Sequence, residues 1–170
     1  MTDETDAAFL TQLQKAARLA ARAQIIDVRL LRTEAALRRQ PDPDRRLSYD
    51  IELEPAVDWF EEIPDQFVVR IACRLKIDIA DDDESTEDTD DEIAIVTADF
   101  EYAALFDCDM RDGDDPLSED ELQAYAETTA RFALYPYIRE YVYDLTGRLA
   151  IPPLTLGVLT RAMPSPTESD

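Results

Sequence analysis

Carboxylates are the most abundant side chains that could do chemistry in this chain of 170 residues. Aspartate and glutamate together number 39, while histidine, the commonest general base and metal ligand, is absent. A glycosidase needs two carboxylates held in a cleft with separated pKa values, and abundance alone does not single out such a pair. The sequence also has no Gly-x-Ser-x-Gly elbow, no phosphate-binding loop and no Cys-x-x-Cys pair. We therefore expect no enzyme and no bound cofactor.

One acidic stretch, residues 81–92, resembles a calcium-binding loop in its spacing. Asp81, Asp83, Ser85 and Glu92 fall near the ligand positions of an EF-hand loop. However, Thr86 occupies the position where that loop needs glycine, and the flanking segments alternate as strands do. We therefore expect no metal site here, and we predict a solvated hairpin loop instead.

The two cysteines, Cys73 and Cys108, both lie on the apolar phase of strand-like segments. Folding the chain about the acidic loop places Cys73 nearer Asp99 than Cys108, which disfavours a disulfide between them. We expect two buried free thiols, as is usual in a reducing compartment. Neither thiol is a good candidate nucleophile, because no histidine is available to deprotonate it.

The overall charge excludes several kinds of partner. The formal net charge is -22, and a field of that sign repels nucleic-acid phosphates while it favours solubility. The first six residues are acidic and polar, unlike a signal peptide. No apolar run approaches the ~18 residues of a membrane span. We therefore expect a cytoplasmic protein that neither binds nucleic acid nor enters a membrane.

Any binding surface must be positioned by a sheet and two helices. Apolar residues recur at helical spacing over residues 6–22, and three clear alternations follow within residues 25–109, as in an antiparallel sheet with one wet face. Residues 25–39 are ambiguous, since Ile26, Val28 and Leu30 alternate while the residues after them have helical propensity. Local propensity alone would extend the first helix to Arg39.

A second helix is predicted over residues 118–147. Ser118 and Glu121 fit a capping box at its start, Pro136 lies inside it, and Gly147 is the natural left-handed residue at its end. A proline-containing arm covers residues 148–160. We expect one domain over residues 1–162 and a disordered tail over residues 163–170.

Two sets of aromatic and apolar side chains could form binding surfaces. Trp59 and Phe60 lie between two strands, where the rings either tuck onto the core or form an aromatic patch at a binding edge. The second set lies on the long helix, where it covers the sheet alone or also meets another subunit. Its members assigned to a subunit interface are Phe132, Tyr135, Ile138, Tyr141 and Val142.

The helix and the arm after it resemble the SecB family of molecular chaperones. That family has a Phe-Pro-Tyr-x-Arg-Glu helix segment, then a glycine turn, then Phe-Pro-x-Leu-x-Leu. The matching segments here run from Tyr135 to Glu140 and from Ile151 to Leu156, with Gly147 between them. Within the family, the chain is most similar to the SecB-like chaperones of mycobacterial toxin–antitoxin–chaperone systems. The resemblance implies an α+β fold in which a four-stranded antiparallel sheet packs against a long Pro-kinked helix, with an extra N-terminal helix, and residues 25–39 as the first strand.

The resemblance also implies a function. Such a protein would be an ATP-independent holdase, a homotetramer built as a dimer of dimers, whose client is the C-terminal segment of an antitoxin or another unfolded polypeptide. The matching family positions assign client binding to apolar residues on the strands and the arm, namely Leu31, Tyr49, Ile51, Leu53, Leu154 and Leu156.

Two departures from the family pattern bear on the partner. Export chaperones carry an acidic pair on the first strand for docking the SecA motor, and here Glu34 is followed four residues later by Arg38. Most members also have a second long helix after the arm, for which this chain has too few residues. The alternative of a general export chaperone that delivers preproteins to SecA is therefore the weaker prediction.

Overall fold

The computed structural model describes residues 2–80 and 94–159, with side chains from Leu10 onward. The predicted acidic loop 81–92, with its calcium-like spacing, and the predicted tail 163–170 lie outside the described residues. The chain divides into two compact units, residues 1–134 and residues 135–170. Each unit is described separately.

The first unit is built on a four-stranded sheet. Its strands are β1 (Ala23–Leu37), β2 (Leu47–Trp59), β3 (Gln66–Ile79) and β4 (Val96–Cys108), in the order β1-β4-β3-β2 with antiparallel pairing throughout. This confirms the predicted α+β class and four-stranded antiparallel sheet. The local prediction of a helix running to Arg39 is wrong, because strand pairing with β4 overrides the helical propensity of residues 31–38.

The register of β3 and β4 follows from alternation. Cys73 pairs with Phe100 and Arg74 with Asp99, which confirms that Cys73 lies nearer Asp99 than Cys108. Both cysteines are free and buried.

The core of this unit lies on the apolar face of the two central strands. Phe67 and Phe106 stack with ring centroids 5.2 Å apart. Tyr125 meets both rings edge-on at 5.5 and 5.3 Å. Aromatic rings favour these offset and edge-to-face arrangements. The cluster therefore ties the sheet to the helical segment that carries Tyr125.

The helical segments differ from the predicted pair in their bounds. The first helix, α1, is Thr2–Ala20, so it ends two residues before the predicted residue 22. The predicted helix 118–147 consists of α2 (Glu119–Tyr125), a π-helical turn (Ala126–Ala130) and α3 (Arg131–Arg148). The predicted capping box is present, since Ser118 Oγ accepts from the Glu121 N–H and the Glu121 carboxylate accepts from the Ser118 N–H.

Ion pairs join α1 to α2 and to the loop before it. Arg18 Nη2 lies 2.7 Å from Glu121 Oε2, and Lys15 Nζ lies 3.0 Å from Asp120 Oδ2. Arg22 pairs with Asp114. Of the described α1 side chains, Ala16 and Leu19 are buried, so the helix combines apolar burial with these ion pairs.

The second unit contains the rest of α3 and the arm. Gly147 lies inside α3, so the prediction that it is the left-handed stop is wrong. Ala150 takes that conformation instead, with φ 59°. Its N–H donates to the Gly147 carbonyl and the Ile151 N–H donates to the Thr146 carbonyl, which is the Schellman pattern one turn later.

Candidate functional site

The predicted client-binding residues of β2 lie side by side on the apolar face of the sheet. Tyr49, Ile51 and Leu53 alternate along the strand and pair with Ile77, Leu75 and Cys73 of β3. The three β3 side chains are buried. The three β2 side chains are not, since Tyr49 is 40% exposed and Ile51 and Leu53 are half-buried. The apolar row, as we name Tyr49, Ile51 and Leu53, is therefore partly open to solvent.

Backbone geometry adds to what the apolar row offers. The Arg46 carbonyl accepts from the Ala80 N–H, so even-numbered residues of β2 direct their backbone groups toward β3. Because backbone groups alternate along an antiparallel strand, those of Ile51 and Leu53 point away from β3. No strand in residues 2–80 or 94–159 pairs with this outer edge of β2. The edge thus offers hydrogen-bonding groups beside the apolar side chains.

Pro55 limits this edge. Pro55 is an odd-numbered residue of β2, like Ile51 and Leu53, so its backbone nitrogen also faces the outer edge. That nitrogen is part of the proline ring and carries no hydrogen. Proline cannot donate a ladder hydrogen bond, and it commonly protects edge strands from uncontrolled pairing. An extended peptide could therefore pair along residues 47–53 and would lose a hydrogen bond at Pro55.

Leu31 lies at the opposite edge of the sheet from the apolar row. It sits on β1 at a register irregularity between Leu30 and Arg32, and it is 52% exposed. Strands β4 and β3 separate it from β2, so the fold does not bring these predicted site residues together within one chain. Its assignment to client binding stays a prediction.

Leu154 and Leu156 belong to the arm of the second unit. The Leu154 N–H donates to Thr146 Oγ1 at 2.9 Å, and Tyr135 Oη donates to the Gly157 carbonyl at 2.7 Å. These bonds hold the arm back along α3. Leu154 is half-buried and Leu156 is fully buried, so a client reaching Leu156 would have to displace what covers it.

The predicted interface residues of α3 differ in exposure. Tyr135, Ile138 and Val142 are buried within the chain and Tyr141 is half-buried. Phe132 is 46% exposed. Two aromatic residues that the prediction left out, Tyr137 and Tyr143, are also exposed. Exposed aromatic side chains therefore remain on α3 after the chain has folded.

The polar face of the sheet carries a ladder of ion pairs. Arg70 donates to both carboxylate oxygens of Asp58, at 2.6 and 3.1 Å, and to Glu101 at 3.1 Å. The hydrogen bond with Asp58, followed by that with Glu101, raises the pKa of Arg70. Arg74 similarly meets Glu52 at 2.9 Å. These pairs neutralise part of the acidic face.

Burial raises the pKa values of two titratable groups in the core, Cys73 and Tyr125. Burial, and then the nearby Glu101 charge, raises the pKa of the Cys73 thiol to about 12. Burial likewise raises the pKa of Tyr125 to about 12. Both groups therefore stay protonated near neutral pH. Within the described part of the chain, no group of three or more histidine, cysteine, aspartate or glutamate residues is placed to hold a metal ion.

Other exposed apolar residues were not predicted as site residues. Ile25, Ile26 and Leu30 project from the edge strand β1, and Ile63 lies beside Trp59 and Phe60 in the β2–β3 loop. Trp59 and Phe60 are both exposed, which favours the aromatic patch over rings tucked onto the core. Alternation alone could not reveal this, because it predicts which face is apolar and not which part of that face remains uncovered.

No described helix is long and apolar enough to cross a membrane.

Comparison with known proteins identifies relatives of this chain. No family model matches the chain. It is 60% identical over 167 residues to the SecB-like chaperone Rv1957 of Mycobacterium tuberculosis H37Rv. The matched region covers 96% of this chain and 92% of that protein. The SecB-like chaperone MT2006 of M. tuberculosis CDC 1551 matches with the same identity and coverage.

A solved structure agrees with the sequence match. The M. tuberculosis chaperone Rv1957, solved in complex with a ChAD peptide from the HigA1 antitoxin Rv1956, superposes with a TM-score of 0.76 and 56% identity, and the match covers 88% of this chain and 99% of that one. Identity this high over nearly the full length, with the same fold, is decisive. The chain belongs to the SecB-like chaperones.

Proposed function

We propose that this chain is an ATP-independent holdase that binds the C-terminal segment of a cognate antitoxin and keeps it from aggregation and degradation. The apolar row on the open edge of β2 carries this proposal. A relative at 56% identity binds an antitoxin peptide, which supports the same class of client here. The client is an extended segment with exposed apolar side chains.

The geometry of β2 suits such a client. A peptide added along residues 47–53 would form main-chain hydrogen bonds with Ile51 and Leu53 and lay alternate side chains on the apolar row. Main-chain bonds make little demand on client sequence, whereas the apolar row selects bulky side chains. Because only the unfolded client exposes both, binding favours that state by mass action and needs no nucleotide.

Assembly into a homotetramer, a dimer of dimers, is part of this proposal. The exposed aromatic side chains of α3, with Phe132 among them, offer a surface for a second copy. Tyr141 is half-buried, and the buried Tyr135, Ile138 and Val142 would support that surface from beneath. We place the protein in the cytoplasm, where its client is made.

The test is a comparison of peptide affinities by calorimetry. The peptide is a synthetic C-terminal antitoxin segment, and the variants are Ile51→Ser and Leu53→Ser, with Asp50→Ser on the opposite face of β2 as the matched control. Each serine in the apolar row should weaken binding roughly tenfold, the loss of about 1.4 kcal/mol. The control should bind like the parent. Equal affinities across all four proteins would overturn the assignment.

A further inference from the structure

The open edge of β2 carries charged side chains as well as the apolar row. Asp50, Glu52 and Glu54 alternate with the residues of the apolar row, so their side chains lie on the opposite face of the same edge. All three are exposed. A peptide strand that pairs along this edge places every second side chain on each face. A client would therefore meet these carboxylates while its apolar side chains lie on the apolar row.

Glu54 differs from the other two carboxylates in what lies across from it. On β3, basic residues lie opposite Asp50 and Glu52. The residue opposite Glu54 is Ala72, which carries no charge. Glu54 meets Arg74 diagonally at 3.5 Å, and that guanidinium lies closer to Glu52, at 2.9 Å. Because exposed ion pairs of this kind contribute little, the charge of Glu54 is only weakly balanced within the sheet.

The other arginine diagonal to Glu54 on β3 is already engaged. Arg70 donates to both carboxylate oxygens of Asp58, at 2.6 and 3.1 Å, and to Glu101 at 3.1 Å. A guanidinium that serves two carboxylates has little capacity left for a third. A cation that balances Glu54 would thus have to come from the outer side of β2, where a client strand adds.

Backbone pairing would bring a client side chain close to Glu54. Even-numbered residues of β2 direct their backbone groups toward β3, so Glu54 would form a non-hydrogen-bonded pair with an antiparallel client strand. In such pairs the Cα atoms are about 4.5 Å apart, closer than in hydrogen-bonded pairs. Opposite charges at directly opposed positions stabilise a sheet, and like charges destabilise it.

We propose that Glu54 selects clients that carry lysine or arginine directly beside the apolar residue seated on Leu53. The inference rests on the proposed function. The apolar row selects the bulky side chain, and Glu54 attracts a basic neighbour and repels an acidic one. Because Glu54 lies at the Pro55 end of the apolar row, the same contact fixes which end of the client segment lies there.

The test compares the affinities of capped synthetic peptides by calorimetry, at physiological ionic strength so that long-range attraction is screened. In the reference peptide, three leucines alternate with serines. A lysine or a glutamate then replaces the serine next to a terminal leucine, at either end in turn. At one end, lysine should bind roughly threefold more tightly than the reference, and glutamate should bind more weakly. Moving that lysine one residue outward, in phase with the leucines, should remove the gain although the peptide charge is unchanged.

Variants assign the preference to one carboxylate. Glu54→Lys should reverse the order, so that the glutamate peptide binds most tightly, and Glu54→Gln should remove the order. Glu34→Lys is the matched control, because it makes the same charge change at an exposed carboxylate of the far edge strand β1, and it should keep the order of the parent.

The outcomes distinguish this inference from the proposed function. If lysine improves binding equally at every position, or if Glu54→Lys keeps the order of the parent, the role of Glu54 is overturned while the holdase stands. The same holds if Glu34→Lys changes the order as much as Glu54→Lys does. If no peptide binds the parent, the proposed function fails as well.

Discussion

At the scale of single residues, burial decides which side chains remain available. Ile51, Leu53 and Leu75 lie on the same face of the sheet. Only Ile51 and Leu53 reach solvent, because their strand β2 is at the edge of the sheet whereas β3, which carries Leu75, is central. The same burial holds Cys73 protonated, with its pKa raised to about 12. A cysteine reacts as the thiolate. Because burial raises the thiol pKa and so lowers the thiolate fraction, the rate of labelling indicates how deeply the thiol is buried.

We predict that neither cysteine of the native protein reacts with an aromatic disulfide reagent at pH 8 on the time scale of minutes. Burial raises the pKa of Cys73 and also that of Cys108. After denaturation without reductant, two thiols per chain should titrate, since both cysteines are free. Rapid native labelling, or fewer than two thiols after denaturation, would contradict the structure.

A second residue-scale prediction concerns the start of α2. Ser118→Ala should lower the free energy of unfolding by about 1 kcal/mol, because the Glu121 N–H loses its side-chain acceptor. Ser118→Asp, which keeps an acceptor at the cap, is the matched control and should remain close to the parent. Urea unfolding measures both, and equal stabilities of the alanine and aspartate variants would contradict the capping box.

At the scale of elements, ion pairs contribute to the attachment of α1. Hydrogen bonds between the Ser118 side chain, the Ser118 backbone and the Glu121 carboxylate, with the Arg18 charge, lower the pKa of Glu121 despite the opposing effect of burial. The pKa of Asp114 is lowered by the backbone N–H of Arg111 and by Arg22. Carboxylates with lowered pKa values stabilise the folded state above their unfolded pKa, and that contribution is lost as pH falls through the folded value.

We therefore predict that α1 releases before the sheet unfolds when the pH falls below about 4, near the ordinary pKa values of aspartate and glutamate. Arg18→Gln should shift this release to higher pH, whereas Arg29→Gln, on an exposed local pair of β1, should not. Hydrogen exchange of α1 amides against pH measures the transition. If the α1 amides begin to exchange at the same pH as the sheet amides in the parent, in Arg18→Gln and in Arg29→Gln, the result would contradict an electrostatic contribution to the attachment of α1.

Element types could be predicted better than element boundaries. Three strands and the capping box follow from alternation and from the Ser118–Glu121 spacing, because both depend on neighbouring residues. The first strand could not be predicted locally, since its identity depends on pairing with β4, whose partner residues are 59 (Leu37–Val96) to 85 (Ala23–Cys108) positions away. Neither the π-helical turn nor the Schellman motif at Ala150 has a local signal in the sequence. Gly147 suggested that the helix ends there, but the left-handed residue is Ala150. The position of the apolar row was implied by the resemblance, and its exposure required the strand order.

At the scale of the whole molecule, the chain combines exposed apolar surface with a net charge of -22. Apolar edges favour aggregation, and strong like charge opposes it. A holdase needs both properties, because its surface must stay open to clients without joining to other copies indiscriminately. Assembly limited to a closed tetramer would satisfy both conditions.

We predict a light-scattering mass near four times the 19.3 kDa chain mass. Phe132→Ser should lower that mass, because Phe132 is exposed on α3, whereas Asp144→Ser, another exposed position of α3, should keep it. A monomeric parent, or a Phe132→Ser variant with unchanged mass, would contradict the proposed assembly or this residue's part in it.

Amide hydrogen exchange with and without an antitoxin C-terminal peptide tests the central claim most directly. The outward-facing N–H groups of Ile51 and Leu53 should exchange quickly in the unbound protein and slow strongly when the peptide pairs along β2. Residues of β1, at the far edge of the sheet, should change less. Saturable binding with Ile51 and Leu53 still exchanging quickly, and protection confined to another surface, would contradict client binding at the apolar row.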